Sequence, residues 1–312
     1  MMKSIILIVP YIGKWPLWFE AHLVSIAKNP TVNWLFITDC DLPKNYPNNV
    51  RFITTSLESL NIKINRVLGI EVPLSPRKLC DVRPAYGEIF QEYISDHDFW
   101  GFCDVDIIWG DIRSYVTEPI LSEYDIISSR KDAVSGHFTI LRNTAAINSL
   151  YLSIPDYRGM LSQNKLMRID EEAFTAYLKT PEIQLKCKIW WQDYLMNNKN
   201  GKAHQEYYLD RWIWQEGKMI NTKNGQEVMY LHFINWKRTM KYSDVKYDDG
   251  PQRFYISYNV IHYQPHLDLS HILNNLKNFF NGYWVQQYFR IKKHKVKSFF
   301  KKLKRKVKSI TK

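Results

Sequence analysis

An α/β fold built on a largely parallel sheet is predicted by the order of apolar segments in the first third of the chain. Three β-like runs occupy residues 4–12, 33–39 and 50–56. Between the first two, residues 15–29 repeat apolar side chains at helical spacing, which indicates a strand–helix–strand unit. A fourth apolar run, residues 99–103, ends directly before two aspartates. Ligands of such a fold bind at the carboxyl ends of the strands, so we expect the functional site there.

The segments after residue 80 continue this pattern. Residues 83–96 are typical of a helix, with Pro84 in the first turn, where proline is favoured. Two further β-like runs (124–130 and 136–143) and two helical segments (144–153 and 170–179) follow. Residues 227–238 indicate a strand that continues into a loop, whereas residues 181–205 show no clear pattern.

Length and composition fit one large globular domain with a short appendage. The chain has 312 residues, of which 45% are hydrophobic and 24% are charged. Its cysteines, Cys40, Cys80, Cys103 and Cys187, show no metal-finger spacing and are typical of reduced residues in a cytosolic protein. No apolar segment approaches the ~20 residues that a membrane span requires. The apolar run at the N-terminus has no signal-peptide cleavage site, so we expect a buried strand there.

Asp104 and Asp106 lie one residue apart in an otherwise apolar stretch, FWGFCDVDIIWGDI (residues 99–112). Carboxylates are seldom buried unless they are paired or bind a metal. Alternate residues of a strand face the same side, so the two side chains are expected to converge. Hard oxygen ligands of this kind suit Mg²⁺ or Mn²⁺, and such an ion would also hold a diphosphate. The alternative is a solvated turn without a ligand.

The chain resembles the GT-A glycosyltransferases, which use nucleotide-sugar donors. The segments SPRKLCDVRPAYGEIF, FWGFCDVDIIWGDI and SGHFTILRN look like those of bacterial capsule and O-antigen polysaccharide enzymes. This resemblance covers residues 1–240, most specifically 76–143. It implies a GT-A (Rossmann-like) fold, a UDP-sugar donor, and Asp104 and Asp106 as ligands of Mn²⁺ or Mg²⁺ that also meet the donor diphosphate.

A second motif, YLHFINWKR (residues 230–238), extends the resemblance. It is similar to the late H-F-x-G-x-x-K-P-W motif of glycogenin-like galactosyltransferases, but Ile234 and Asn235 replace x-G and the Pro-Trp is missing. The similarity implies that His232 is a metal ligand and that Lys237 contacts phosphate. Imidazole beside two carboxylates suits Mn²⁺. The alternative is that His232 is an ordinary buried histidine.

Two further groups are expected to bind the donor by analogy with these families. Lys78, Asp81 and Arg83 in RKLCDVRP would contact the nucleoside and the diphosphate. Pro10 and Tyr11, at the end of the first strand, would lie beside the nucleotide base. For the charged group, the alternative is a set of local ion pairs at a helix entrance, which contribute little.

The segment RIDEEAFTAYL (residues 168–178) places three carboxylates at the start of a helical segment. Acidic residues favour helix N-termini, so a stabilising role for the helix is the simplest interpretation. Inverting GT-A enzymes, however, place their catalytic base in such a cluster. By this analogy Glu171, or failing that Asp170, deprotonates the acceptor hydroxyl. Because the glycogenin-like motif comes from retaining enzymes, both stereochemical outcomes stay open.

The C-terminal end carries the entire charge excess. Residues 289–312 contain 12 lysines and arginines and no acidic residue, and the net charge of the whole chain is +12. One apolar stripe at helical spacing runs along this segment, formed by Val296, Phe299, Phe300, Leu303, Val307 and Ile310. A basic amphipathic helix of this kind is typical of a segment that lies on an anionic membrane. The alternatives are packing of the stripe on the protein body and nucleic-acid binding, which does not require an apolar stripe.

The family resemblance implies a GT-A catalytic domain at residues 1–270, and the charge pattern predicts a helical, basic, amphipathic tail at 271–312. The activity that the resemblance implies is metal-dependent transfer of a hexose from a UDP-sugar to a lipid-linked oligosaccharide, in bacterial surface polysaccharide synthesis. The enzyme would be cytoplasmic and peripheral on the inner face of the plasma membrane, with no nucleic-acid partner. One alternative is a retaining glycogenin-like galactosyl- or glucosyltransferase, and another is a non-enzymatic protein that binds membranes or nucleic acid through the tail. A D-x-D-x-T phosphatase is disfavoured because the threonine is missing.

Overall fold

Alternating strands and short helices make up most of the computed structural model. It describes residues 2–194, 212–222, 224–232, 240, 242–256 and 260–263, with ten further positions between 273 and 303. The strands are β1 (Ile5–Tyr11), β2 (Val32–Thr38), β3 (Val50–Thr54), β4 (Phe99–Cys103), β5 (Ile107–Trp109), β6 (Ile126–Ser128), β7 (Phe138–Arg142), β8 (Ile189–Trp191), β9 (Trp212–Gln215), β10 (Lys218–Asn221), β11 (Glu227–Val228), β12 (Tyr230–His232), β13 (Tyr242–Ser243), β14 (Arg253–Ile256) and β15 (Val260–His262).

The helices are short, apart from the two that follow β1 and β3. They are α1 (Phe19–Ala27), α2 (Leu57–Leu68), α3 (Leu79–Val82), α4 (Tyr86–Ile89), α5 (Gln91–Ile94), α6 (Glu118–Glu123), α7 (Ala145–Asn148), α8 (Tyr157–Leu161), α9 (Phe174–Leu178) and α10 (Pro181–Gln184). Single 3₁₀ turns occupy Arg83–Ala85, Leu150–Ser153 and Tyr247–Asp249, and a π-helical turn occupies Ile169–Ala173.

A seven-stranded sheet in the order β3-β2-β1-β4-β7-β6-β8 organises the fold. Its first four strands are parallel, whereas β7 runs antiparallel to both of its neighbours. The chain passes from β1 to β2 and β3 on one side and then returns to place β4 on the other side of β1. The carboxyl ends of β1 and β4 therefore border a topological switch point, where open α/β sheets bind ligands. The predicted α/β fold is confirmed.

Apolar layers cover both faces of this sheet, because the side chains of β1 alternate between them. Ile6 and Ile8 pack with α2 and the helices that follow it, whereas Ile5, Leu7 and Val9 pack on the opposite face with α1, β5 and β12. Near-continuous apolar strands of this kind are expected when a parallel sheet is covered on both sides.

Two smaller sheets complete the described strands. One has six strands in the order β11-β10-β9-β14-β15-β13, and the other pairs β12 with β5. The two-stranded sheet positions the site, because it joins β12 to β5, the strand that follows β4. The paired residues are more than a hundred positions apart in the sequence, and the register places His232 opposite Ile107.

The structure corrects the predicted helix at residues 83–96. This stretch is divided into a 3₁₀ turn at Arg83–Ala85, α4 and α5. The interruption lies at Phe90, whose backbone leaves the helical region (φ −116°, ψ 23°) while its ring is buried. Packing of the ring, rather than helical periodicity, decides the local structure here.

The chain divides into two compact units, Met1–Tyr263 and Gln264–Lys312. The predicted roles of residues 1–270 and 271–312 stay predictions. In the second unit, the described stripe residues Val296, Phe299, Phe300 and Leu303 are helical and exposed to solvent, whereas Val307 and Ile310 lie outside the described residues. No helix within the described part of the chain is long and apolar enough to cross a membrane.

Candidate metal centre and cavity

Asp104 and Asp106 lie in the short bend that joins β4 to β5. They follow the strand rather than forming part of it, so strand alternation alone does not explain why they converge. Pairing of β5 with β12 brings His232 to the same place. One ligand atom from each of the three residues lies within 4.8 Å of the others. Nε2 of His232 is 3.7 Å from Oδ2 of Asp104 and 3.6 Å from Oδ1 of Asp106.

This donor set fits a divalent cation. Two carboxylates from the bend after β4 and one imidazole from β12 are ligands that Mn²⁺ accepts. Burial alone would lower the pKa of His232, but the carboxylates of Asp106 and Asp104 outweigh it and raise that pKa to about 9. Without a metal, the imidazole is therefore protonated at neutral pH and compensates the two negative charges. A metal ion would take over that compensation, and His232 would then be neutral.

His137 is a neighbour of this centre that the sequence did not single out. His137 directly precedes β7 and lies beside Asp104. The backbone N–H of Asp104 donates to the carbonyl oxygen of His137 (3.3 Å). Its ring stacks on the ring of His232 with centroids 4.3 Å apart, and the hydroxyl of Ser135 is 3.0 Å from its ring nitrogens. These contacts fix the plane of the His232 imidazole. The signal in the sequence was the SGH triplet before a strand, which carried part of the family resemblance.

Arg83 connects the carboxylates of the centre to the acidic turn. Its guanidinium donates to Oδ1 of Asp104 (2.5 Å) and to Oδ2 of Asp170 (2.9 Å). Burial raises the pKa of Asp170 to about 6, although Arg83 acts in the opposite direction. Glu171 is more accessible, since its side chain is 30% exposed and that of Asp170 only 3%. Both residues lie in the π-helical turn before α9, at the start of a helical segment as expected.

Gly136 leaves room for the side chains of Arg83, Asp170 and Glu171 to lie next to each other. A methyl group added there would lie 2.8 Å from Nη1 of Arg83, 3.1 Å from Oε1 of Glu171 and 3.2 Å from Oδ2 of Asp170. Each distance is shorter than an ordinary van der Waals contact, so a larger residue would displace the guanidinium or the carboxylates.

Lys78 and Asp81 are found inside the protein. Their side chains pair with each other (3.3 Å), and both are almost fully buried. Asp81 accepts hydrogen bonds from the backbone N–H groups of Met167 and Ile169, and Lys78 donates to the carbonyl oxygen of Lys165. These contacts hold the segment that leads into the acidic turn. Direct contact of either residue with a donor stays a prediction.

A cavity of about 450 Å³ opens between the ends of β1 and β4. It is large enough for a small-molecule ligand. Five residues that were expected to bind donor or metal line it, together with Trp18: Pro10, Tyr11, Arg83, Asp104 and Asp106. The ring of Tyr11 stacks on Trp15, which stacks in turn on Phe19. Lys237 lies outside the described residues.

Comparison with known proteins identifies the family. Residues 7–265 match DUF6625, a family of unknown function. The chain belongs to this family. No curated protein sequence matches it significantly.

Several solved structures are similar to this DUF6625 member at low identity. The galactosyltransferase LgtC in complex with donor and acceptor sugar analogues is 9% identical over 54% of this chain and 72% of that chain, with a TM-score of 0.32. An active-site mutant of LgtC is 9% identical over 73% and 88%, with a TM-score of 0.36. The glycosyltransferase GlyE of Streptococcus pneumoniae TIGR4 is 12% identical over 63% of this chain and 47% of that chain, with a TM-score of 0.33. At these values the similarity by itself assigns no function.

The affinity of the centre for Mn²⁺ is expected to rise with pH. Because the pKa of His232 is about 9, a proton competes with the metal for this imidazole below that pH. Affinity should therefore increase about tenfold per pH unit between about pH 6.5 and 8, with release of about one proton. Isothermal titration calorimetry in two buffers of different ionisation enthalpy measures both quantities. The variant His232→Gln should lose most of the pH dependence of Mn²⁺ affinity. The control variant His97→Gln should keep it, because His97 lies two residues before the start of β4, at the other end of that strand from Asp104. A slope that survives His232→Gln contradicts the assignment.

Proposed function

We propose that this protein is a metal-dependent glycosyltransferase that uses a nucleotide-sugar donor. One observation carries the proposal: the ligand atoms of Asp104, Asp106 and His232 converge at the switch point of the sheet, beside a cavity that Pro10 and Tyr11 also line. A nucleotide placed in this cavity would have its base near the end of β1 and its diphosphate near the end of β4. The family resemblance of the sequence motifs points to the same donor class.

In this proposal, Asp104, Asp106 and His232 hold Mn²⁺ or Mg²⁺. When bound, the ion neutralises the negative charge that develops on the departing diphosphate. Arg83 adds a fixed positive charge next to Asp104, inside a largely buried environment where electrostatic interactions are stronger than in water. Lys237, five residues after His232 in the sequence, would contact the phosphate. A UDP-sugar is the donor that the resembling families imply.

The acceptor hydroxyl requires a base, and we assign this role to Glu171. Asp170 is buried and committed to Arg83, whereas the carboxylate of Glu171 remains partly exposed on the same turn. A general base has to reach the proton it removes, so exposure favours Glu171. This assignment corresponds to inversion at the anomeric carbon. Retention, as in glycogenin-like enzymes, is the second candidate and is favoured by the partial motif around His232.

The proposed acceptor is a lipid-linked oligosaccharide of bacterial surface polysaccharide synthesis, such as capsule or O-antigen. The C-terminal segment supports an encounter at the inner face of the plasma membrane, because its described apolar side chains are exposed and its charge is strongly positive. Anionic lipid would attract the basic residues, and the apolar stripe would enter the interface.

The donor proposal predicts metal-dependent release of UDP. The purified protein, incubated with a panel of UDP-sugars and Mn²⁺, should release UDP from at least one of them, and EDTA should stop the release. Asp106→Asn should lower the rate by about a hundredfold or more, because it removes a charged metal ligand. Asp111→Asn is the matched control, since Asp111 lies near the end of the same stretch and its carboxylate accepts hydrogen bonds from Arg113 and Ser114 in the local turn. Equal loss in both variants, or activity that EDTA leaves unchanged, contradicts the proposal.

The base assignment predicts a selective loss of transfer. Glu171→Gln should slow transfer to an acceptor by about 10²–10⁴-fold while donor affinity stays within a few-fold of wild type. Glu172→Gln is the control, because this neighbouring carboxylate is 69% exposed and forms an ion pair with Arg168, on the same turn. Nuclear magnetic resonance of the product gives the anomeric configuration. A retained configuration, or normal turnover in Glu171→Gln, would reject Glu171 as the base.

The membrane proposal predicts binding to anionic vesicles only. Full-length protein should float with phosphatidylglycerol-containing liposomes, should bind more weakly as salt rises, and should ignore neutral phosphatidylcholine vesicles. Replacing both Phe299 and Phe300 by serine should weaken binding, because burial of the two rings in the interface is lost. Leu185→Ser is the control, since this residue of the first unit is 89% exposed. If the tail variant floats as well as wild type, the stripe has another role.

A further inference from the structure

One face of α1 is polar although it is buried. His22 and Ser25 lie within α1, Trp18 is its N-cap residue, and Asn29 follows two residues after its end. Their spacing of four, three and four residues aligns them along one side of α1 and its two ends. All four side chains are buried. Buried polar groups require hydrogen-bond partners, and for this polar stripe of α1 the partners are backbone groups of residues 105–112.

The first two members of the polar stripe hold the peptide groups next to Asp106. The indole N–H of Trp18 donates to the carbonyl oxygen of Val105 (3.0 Å). Nδ1 of His22 is 2.6 Å from the carbonyl oxygen of Ile107. Val105 and Ile107 are the two chain neighbours of Asp106, so the backbone on each side of this carboxylate is tied to α1.

The last two members continue the same contact along β5. The hydroxyl of Ser25 accepts from the backbone N–H of Trp109 (3.1 Å). Asn29 donates to the carbonyl oxygen of Gly110 (2.9 Å) and accepts from the N–H of Ile112 (2.9 Å). Since β5 pairs with β12 along one edge, the polar stripe supplies partners along its other edge, in place of a neighbouring strand.

The protonation state of His22 is fixed by its surroundings. Burial lowers its pKa to about 4, so the imidazole is neutral at physiological pH. A carbonyl oxygen can only accept, so the hydrogen of the neutral ring is on Nδ1 and points to Ile107. The polar stripe therefore presents a donor at Trp18 and another at His22, both directed at the segment that carries Asp106.

We propose that Trp18 and His22 are positioning residues that set the affinity of the metal centre, by fixing the peptide groups on both sides of Asp106. This inference rests on the proposed metal-dependent function. A metal ligand has to be held to within about half an ångström of its productive position, and Asp106 lies in a bend that has no strand pairing of its own. The side chains of Trp18 and His22 bind the peptide groups directly next to Asp106, whereas His137 and Arg83 contact the bend at Asp104. Trp18 also lines the cavity, so the support begins at the cavity wall.

Calorimetric titration with Mn²⁺ alone tests this inference without measuring activity. His22→Leu keeps the volume of the side chain but removes the donor, and Trp18→Phe keeps an aromatic ring but removes the N–H. Each should weaken Mn²⁺ binding about tenfold, the lower end of the effect that outer-shell residues have on metal affinity. His22→Asn should restore most of the affinity, because its side-chain N–H₂ can take the place of Nδ1–H.

Asn143→Ala is the matched control for lost stability. Asn143 donates to the carbonyl oxygens of Ile94 and His97, and neither of these belongs to α1 or to residues 105–112. This variant should lower the unfolding temperature but keep the Mn²⁺ affinity of wild type. If wild type binds Mn²⁺ and the folded Trp18 and His22 variants bind it equally well, the positioning role is overturned while the metal centre stands. If wild type does not bind Mn²⁺, the proposed function fails, and the positioning role with it.

Discussion

Negative charge at the end of a buried strand is the constraint on which the rest of this structure depends. Asp104 and Asp106 follow a strand whose residues are all buried, and Asp106 is itself buried. Carboxylates in such a place are unfavourable unless positive charge meets them. Arg83 meets Asp104 from one side, and a protonated His232 meets both carboxylates from another. In the proposed enzyme, a divalent cation would take the place of the proton on His232. The two carboxylates that raise the pKa of His232 would therefore also attract the metal.

Distant parts of the chain satisfy this constraint together. Strand pairing of β12 with β5 delivers His232, and stacking against His137 orients its ring. The polar stripe of α1 ties down the backbone around Asp106. On the other side, the buried pair of Lys78 and Asp81 holds the segment before the acidic turn, and Arg83 links that turn to Asp104. Apart from the local Lys78–Asp81 pair, these contacts join residues far apart in sequence, which is how a fold makes a rigid site from short elements.

The sequence allowed prediction of the features that depend on local pattern. The α/β alternation and the position of Asp104 and Asp106 at the end of a buried strand followed from apolar periodicity interrupted by charge. Proximity of His232 to that pair came from a partial motif, and a role for Arg83 near the site came from the family resemblance. Glu171 and Asp170 were found at the start of a helical segment, as expected.

What the sequence did not show depends on tertiary contacts. The helix expected at residues 83–96 is broken because the ring of Phe90 packs inside. Burial of Lys78 and Asp81 could not be read from a charged stretch that looks solvated. The polar members of α1 gave no signal, because a polar line on a helix normally indicates the solvent side. The SGH triplet marked the segment of His137, but only the antiparallel pairing of β7 with β4 shows that this residue lies beside Asp104.

The most direct test of the metal-centre hypothesis is a crystal structure of the protein with Mn²⁺ and UDP, with diffraction data collected at the manganese absorption edge. We expect an anomalous peak between the carboxylates of Asp104 and Asp106 and the imidazole of His232. The diphosphate should lie next to that peak and the uracil near Tyr11. UDP bound elsewhere, or an anomalous map without a peak at these three side chains, would contradict the proposed metal centre.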